Sequence, residues 1–247
     1  MIRYFAKVFN VDLHEAQHPS PDHYESFNEF FTRPLKVGAR PIDNTSNGLA
    51  SPVDGCVSQL GAINENQIFQ AKGFSYSVID LLGGRAADAS HFLGGKFATL
   101  YLSPRDYHRI HMPLNATLKS MHYIPGRLFS VAPHTVRTVP RLFARNERVV
   151  ALFDTPAGSL AMVLVGAINV AAIETVWAGL VTPPTASTIK HIDYQPDAQQ
   201  AFSKGDEMGR FNMGSTVILL MQKGVTWDAA LTEGSTVRMG DLIGKFQ

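Results

Sequence analysis

A single cysteine, Cys56, two tryptophans and a formal net charge of only +1 are what 247 residues offer here. One cysteine excludes a disulfide within the chain and points to a reducing compartment. A near-zero charge balance removes the global electrostatic case for a nucleic-acid partner, and none is expected. Charged residues make up 17% and hydrophobic residues 45% of the chain, the composition of a folded globular protein and not of a disordered one. Long apolar runs are missing as well. The longest, Leu160 to Ile173, contains Gly166 and Asn169 and falls short of the roughly 18 to 20 residues that a helical membrane span needs. The opening MIRYFAKVFN lacks the apolar region of a signal peptide. On a short helix, Ile2, Phe5, Val8 and Phe9 would share one side, with Arg3 and Lys7 able to snorkel. That pattern suits lying on a membrane surface and equally suits packing on the protein's own core.

What is present is organised in two textures. The first 33 residues read as helical, through VDLHEAQ and then HPSPDHYESFNEFF, with Ser20-Pro21-Asp22 as a helix start. From residue 34 to 247, short apolar runs alternate with Gly, Pro and Asn: CVSQLGAI, QIFQAKG, FATLYL, VVALFD, SLAMVLVGAINVAAIETVWAG, STVILLM and STVRMGDLIGKF. Their shortness and their content of Val, Ile, Leu and Phe predict strands. One helical interruption is expected at YSVIDLLGG, stopped by Gly83-Gly84. The fold class predicted is α+β: a mainly antiparallel β domain with a sandwich- or barrel-like core, preceded by a small helical element that faces a membrane.

Three segments could carry chemistry. Ser51-Pro52-Val53-Asp54-Gly55 places an aspartate in a turn before a strand, which is also ordinary turn chemistry. Ser103 to Pro113, SPRDYHRIHMP, holds His108 and His111 between arginines and prolines. Either imidazole could be a general base or a proton donor. A zinc site is the alternative for His-x-x-His, but a third ligand with suitable spacing is not apparent and the arginines disfavour a cation; no metal is expected. Between Ser103 and Val150 stand eight Lys or Arg against Asp106 and Glu147, an excess that suits a phosphate, a carboxylate or an anionic surface. The third segment, GDEMGRFNMGSTVILL, ends in Gly214-Ser215-Thr216. A serine hydroxyl needs a base, and a histidine base works best when a carboxylate orients it. Asp54, His111 and Ser215 could supply the three roles, although the same tripeptide recurs at Gly234-Ser235-Thr236.

FNEFFTRPL (27 to 35), SPVDG (51 to 55), LSPRDYHRIHMP (102 to 113), LFARNERV (142 to 149), ETVWAG (174 to 179) and GDEMGRFNMGSTV (205 to 217) stand in one order along the chain. Together they resemble the bacterial phosphatidylserine decarboxylase family. The resemblance implies a proenzyme that cleaves itself between Gly214 and Ser215, with Ser215 attacking the Gly214 carbonyl, His111 as base and Asp54 orienting it. The ester then eliminates and hydrolyses to leave a pyruvoyl group, the covalent cofactor, on the new N-terminus at position 215. A large chain 1–214 and a small chain 215–247 result, partners from one precursor, and a further homo-oligomer of that pair is implied. The substrate implied is phosphatidylserine, bound as a Schiff base and converted to phosphatidylethanolamine at the cytoplasmic face of the cell membrane, where the enzyme is peripheral. His108 is the candidate to handle the carboxylate or protonate the carbanion. Met213 replaces the leucine usual in the family, a change that keeps volume and apolarity, so cleavage is expected to survive. Two further readings stay open: a soluble relative acting on a free amino acid, and a non-catalytic biotinyl- or lipoyl-like β-sandwich module.

Overall fold

A computed structural model describes residues 1–168, 172–182, 187–212 and 216–247. Its centre is a nine-stranded sheet. Along the main path the order is Lys190–Asp193, Ala116–Ile124, Arg148–Thr155, Gly158–Val165, Thr216–Met221, Lys96–Tyr101, Gly55–Ala62 and Thr236–Val237, with Ala201–Phe202 also pairing on Ala116–Ile124. Every pairing in it is antiparallel. The two ends of the path do not join, so the core is not a closed barrel.

Side chains alternate across a strand, and here both faces of the sheet are covered. Val217, Leu219 and Met221 pack into one core together with Leu160, Met162 and Leu164. Ile218 and Leu220 point to the other, with Ala161, Val163 and Val165. The first core lies against two smaller sheets: Gly179–Leu180, Ile173–Thr175, Glu207–Phe211 and Arg109–His111 in one, and Gly48–Ala50, Leu242–Phe246 and Val225–Trp227 in the other. The second is capped by short helices that contribute Leu81, Val136, Leu142 and Phe143. Burial on both faces is why STVILLM and SLAMVLV are unbroken apolar runs. A change such as Leu219→Ala in this centre is expected to cost about 2–5 kcal/mol.

Most predicted strands fall where the apolar runs stand. The helix expected in YSVIDLLGG is present as Val78–Leu81, with the Ser77 side chain capping Asp80 N–H, and Gly83 and Gly84 turn the chain at positive φ. The N-terminal element is less helical than predicted. Helices cover Ile2–Val8 and Phe27–Phe31, and Pro21–His23 is a single 3-10 turn entered through Ser20. VDLHEAQ is not a helix. Asp12 accepts from His14 N–H, which starts a turn instead. Beyond it, Gln17 N–H donates to the Pro34 carbonyl and Lys36 N–H to that of Glu15, so this segment pairs with the chain leaving the element. Tyr24 and Phe30 close a small separate cluster with Leu13 and Ala16, against which Ile2, Phe5 and Phe27 pack.

Candidate active site

His108 and His111 sit on neighbouring positions of one short strand region but in different settings. The Arg109–His111 strand pairs with Glu207–Phe211, setting Arg109 opposite Arg210 and His111 opposite Glu207. Phe211 N–H donates to the His108 carbonyl at 3.0 Å, which extends the pairing to His108. His108 is fully buried, and its ring lies 4.0 Å from that of Phe31, centroid to centroid. Its Nδ1 is 2.8 Å from the Asp106 carbonyl oxygen. A carbonyl only accepts, so Nδ1 carries the hydrogen and Nε2 keeps its lone pair. That Nε2 is buried and has no hydrogen-bond partner among the described residues. Burial holds the imidazole far below its ordinary range, at about 3, so it is neutral near pH 7.

The same logic fixes His111. Its Nδ1 meets the Gly205 carbonyl at 2.8 Å, and its Nε2 meets the Tyr107 hydroxyl at 2.9 Å. Nδ1 therefore donates, and Nε2 accepts from Tyr107. Burial lowers the His111 pKa, opposed by the bond to Gly205. Gly205 turns at φ +91, a conformation that suits glycine and aims this carbonyl at the ring.

Asp54 makes neither of these contacts. Its Oδ1 accepts from Arg40 Nε at 2.9 Å and from Met239 N–H at 2.8 Å, while its Oδ2 accepts from the Arg40 Nη2. Asp54, expected to orient His111, is therefore not a hydrogen-bond partner of that ring, whose nitrogens meet Tyr107 and Gly205; its influence on His111 is that of a nearby negative charge. Arg40 also binds Glu15, and Glu15 in turn holds Arg238. Gly55 after it serves close approach: a Cβ there would stand 2.4 Å from the Tyr101 carbonyl oxygen.

Gly214 and Ser215, the expected cleavage site, lie outside the described residues, as does Met213. Their neighbours are placed. Thr216 opens the central strand, opposite Tyr101 on one side and Val165 on the other. Among the described residues, the Oγ1 of Thr216 and the Oδ1 of Asn212 are buried without hydrogen-bond partners, like Nε2 of His108. Orphaned polar atoms of this kind are uncommon and suit a polar group bound among them. Tyr101 also lines an apolar cavity of about 220 Å³, shared with Phe5, Phe9, Phe31, Leu102 and Ile168. Phe31 joins that cavity to His108. The second Gly-Ser-Thr is a turn: Gly234 N–H donates to the Val57 carbonyl, and Ser235 Oγ accepts from Thr232 N–H.

The local arginine excess disperses into structure. Arg148 is buried and donates to the carbonyls of Asp80, Leu81 and Asn146, with its pKa pushed down to about 10 by burial. Arg109 binds Glu207, Lys119 pairs with Asp154 and Arg141 with Asp80. Arg105, largely exposed, lines a polar cavity of about 290 Å³ with Arg40, Asp54 and Tyr107. Sequence reasoning missed Arg40, Tyr107 and the Gly205 carbonyl. Tyr107 was within reach, since it stands inside the histidine segment; a backbone carbonyl leaves no side-chain signal.

Comparison with known proteins adds what geometry alone does not. Residues 27–245 match the model of the family described as phosphatidylserine decarboxylase. A protein of Ectopseudomonas mendocina named phosphatidylserine decarboxylase proenzyme is 56% identical over 250 aligned positions, covering 100% of this chain and 87% of that one. Proteins of the same name from Nitrosococcus oceani and Pseudoalteromonas translucida are 55% and 60% identical, over 99% and 89% of this chain and 80% and 77% of theirs. With the family model spanning nearly the whole chain and relatives this similar along most of their own length, the chain belongs to the phosphatidylserine decarboxylase family.

Proposed function

We propose that this chain is a proenzyme that splits itself between Gly214 and Ser215 and then decarboxylates phosphatidylserine to phosphatidylethanolamine. The group supporting catalysis would be a pyruvoyl derived from Ser215, which supplies an electron sink for the carbanion left when carbon dioxide departs. Asn212 and Thr216, whose buried oxygens lack partners among the described residues, flank its position in the chain and fit a polar group between them. His111 is the base for splitting, and Asp54 contributes negative charge that favours the imidazolium formed.

The observation that carries the reading is His108, buried and neutral, with an Nε2 that has no partner among the described residues. A lone pair there repels a carboxylate but accepts a proton. The α-carbon needs a proton after decarboxylation, and a proton taken up at this Nε2, held weakly because burial disfavours the imidazolium, would be passed on to it. The apolar cavity beside Phe31 suits the lipid part of the substrate. Peripheral attachment at the cytoplasmic face of the membrane fits the first helix and its end, where Tyr4 and Val8 and then the capping Phe9 are exposed, while no described helix is long and apolar enough to cross a membrane. The large and small chains stay together in this reading, because Thr216–Met221 lies between two strands of the large chain. Assays on phosphatidylserine vesicles and on free serine, with wild type and His108→Ala, test it. Expected is activity on the lipid, lost in a variant that still splits. Activity on free serine alone, or full lipid activity in His108→Ala, would contradict it.

A further inference from the structure

Both nitrogens of His111 are occupied, and this limits how the ring can gain a proton. Nδ1 already carries a hydrogen and gives it to the Gly205 carbonyl. Nε2, the one basic site, is covered by the Tyr107 hydroxyl at 2.9 Å, with the two rings stacked at an interplanar angle of 29°. Tyr107 is itself buried, 5% exposed. We infer that Tyr107 is the proton relay of His111: the proton His111 accepts is that of the tyrosine hydroxyl, which is refilled from the group being deprotonated.

The step balances. The Tyr107 Oη–H bond breaks as the Nε2–H bond forms, and Oη takes up the proton of the nucleophile's hydroxyl. One proton has moved from nucleophile to His111, and the tyrosine ends neutral. A free tyrosinate never has to form, which matters because burial raises the Tyr107 pKa. Afterwards the hydroxyl accepts from the new Nε2–H, a charge-assisted bond stronger than the one it replaces. The other charges bearing on His111 are Glu207 on the paired strand, Arg109 on its own strand and Asp54 from the turn. Glu207 and Asp54 favour the imidazolium and Arg109 opposes it, and none of them is a hydrogen-bond partner of the ring. This relay rests on the proposed role of His111 as base for splitting.

Two measurements test it. Tyr107→Phe keeps ring volume and removes only the hydroxyl. If a relay supplies general-base catalysis, splitting slows by about 100-fold or more, while the folded variant keeps its far-ultraviolet circular dichroism. In wild type, the splitting rate in mixtures of light and heavy water should curve with deuterium fraction, since two protons move in one step. A linear dependence, or Tyr107→Phe splitting at the wild-type rate, overturns the relay. The second measurement needs no activity: nitrogen-15 NMR of the histidines in the Ser215→Ala protein, with His111 identified by its loss in a His111→Gln control. A protonated Nδ1 and a hydrogen-bonded, unprotonated Nε2 are expected; a proton resting on Nε2 would overturn the relay even if splitting itself were never seen.

Discussion

Arg40 grips both oxygens of Asp54, Nε to Oδ1 at 2.9 Å and Nη2 to Oδ2 at 2.5 Å, and the Met239 N–H adds a third donor. The guanidinium side chain is 7% exposed and the carboxylate 12%. Met239 and Arg238 belong to the segment 215–247, Asp54 and Glu15 to the segment 1–214. The cluster therefore ties together the parts that splitting would separate. Removing one member of a buried pair strands the other charge, at a cost of about 3–5 kcal/mol. Arg40→Met should lower stability by that order in urea unfolding of the unsplit Ser215→Ala protein. A loss below about 1 kcal/mol, the scale of an exposed pair, would show that the pair is not the clasp described.

Stability should depend on pH through His108. Its folded pKa, about 3, lies below the ordinary value of 6.5. Between those values the unfolded chain binds a proton that the folded one does not, so stability falls as pH drops through 6.5 and levels off below about 3. From pH 7 to pH 5 this one group accounts for about 2 kcal/mol. Urea unfolding of wild type and His108→Gln at both pH values checks this: the wild type should lose more, by roughly that amount. Equal losses would mean that His108 is not held neutral.

His111 gives the splitting reaction its own profile. Burial keeps its pKa below the usual imidazole range, so the basic form persists under pH 6.5. The splitting rate should stay level through neutral pH and fall only on further acidification. A rate already halved at pH 6.5 would contradict this.

The two Gly-Ser-Thr copies should behave differently. Ser235 is engaged in a turn against Val57 and Thr232. Ser235→Ala should split normally, and Ser215→Ala should not split at all, read on a denaturing gel.

How far these features could be read from sequence depended on the kind of signal each one leaves. Strands 158–165 and 216–221 announce themselves because both their faces are buried. Ala116–Ile124 passes unnoticed although it pairs with three other strands, because Lys119, Ser120 and His122 break its apolar pattern. His122 is nonetheless buried, accommodated by its contact with Asp88, a partner 34 residues away that no local pattern reveals. VDLHEAQ has helix-forming residues, yet its backbone pairs with residues 34–36 instead. At the site, Asp54, His108 and His111 stand out by residue type and by family resemblance. Their partners do not: Gly205 and Asp106 act through backbone carbonyls, and Arg40 lies in a segment without any motif.

The most direct measurement of the central proposal is the intact mass of the purified protein under denaturing conditions. Expected are two chains, 1–214 and 215–247, the smaller lacking a free amino group at its first residue and carrying the mass of a pyruvoyl in place of Ser215. A single unmodified chain of 27.1 kDa that nevertheless decarboxylates phosphatidylserine would contradict the proposal outright.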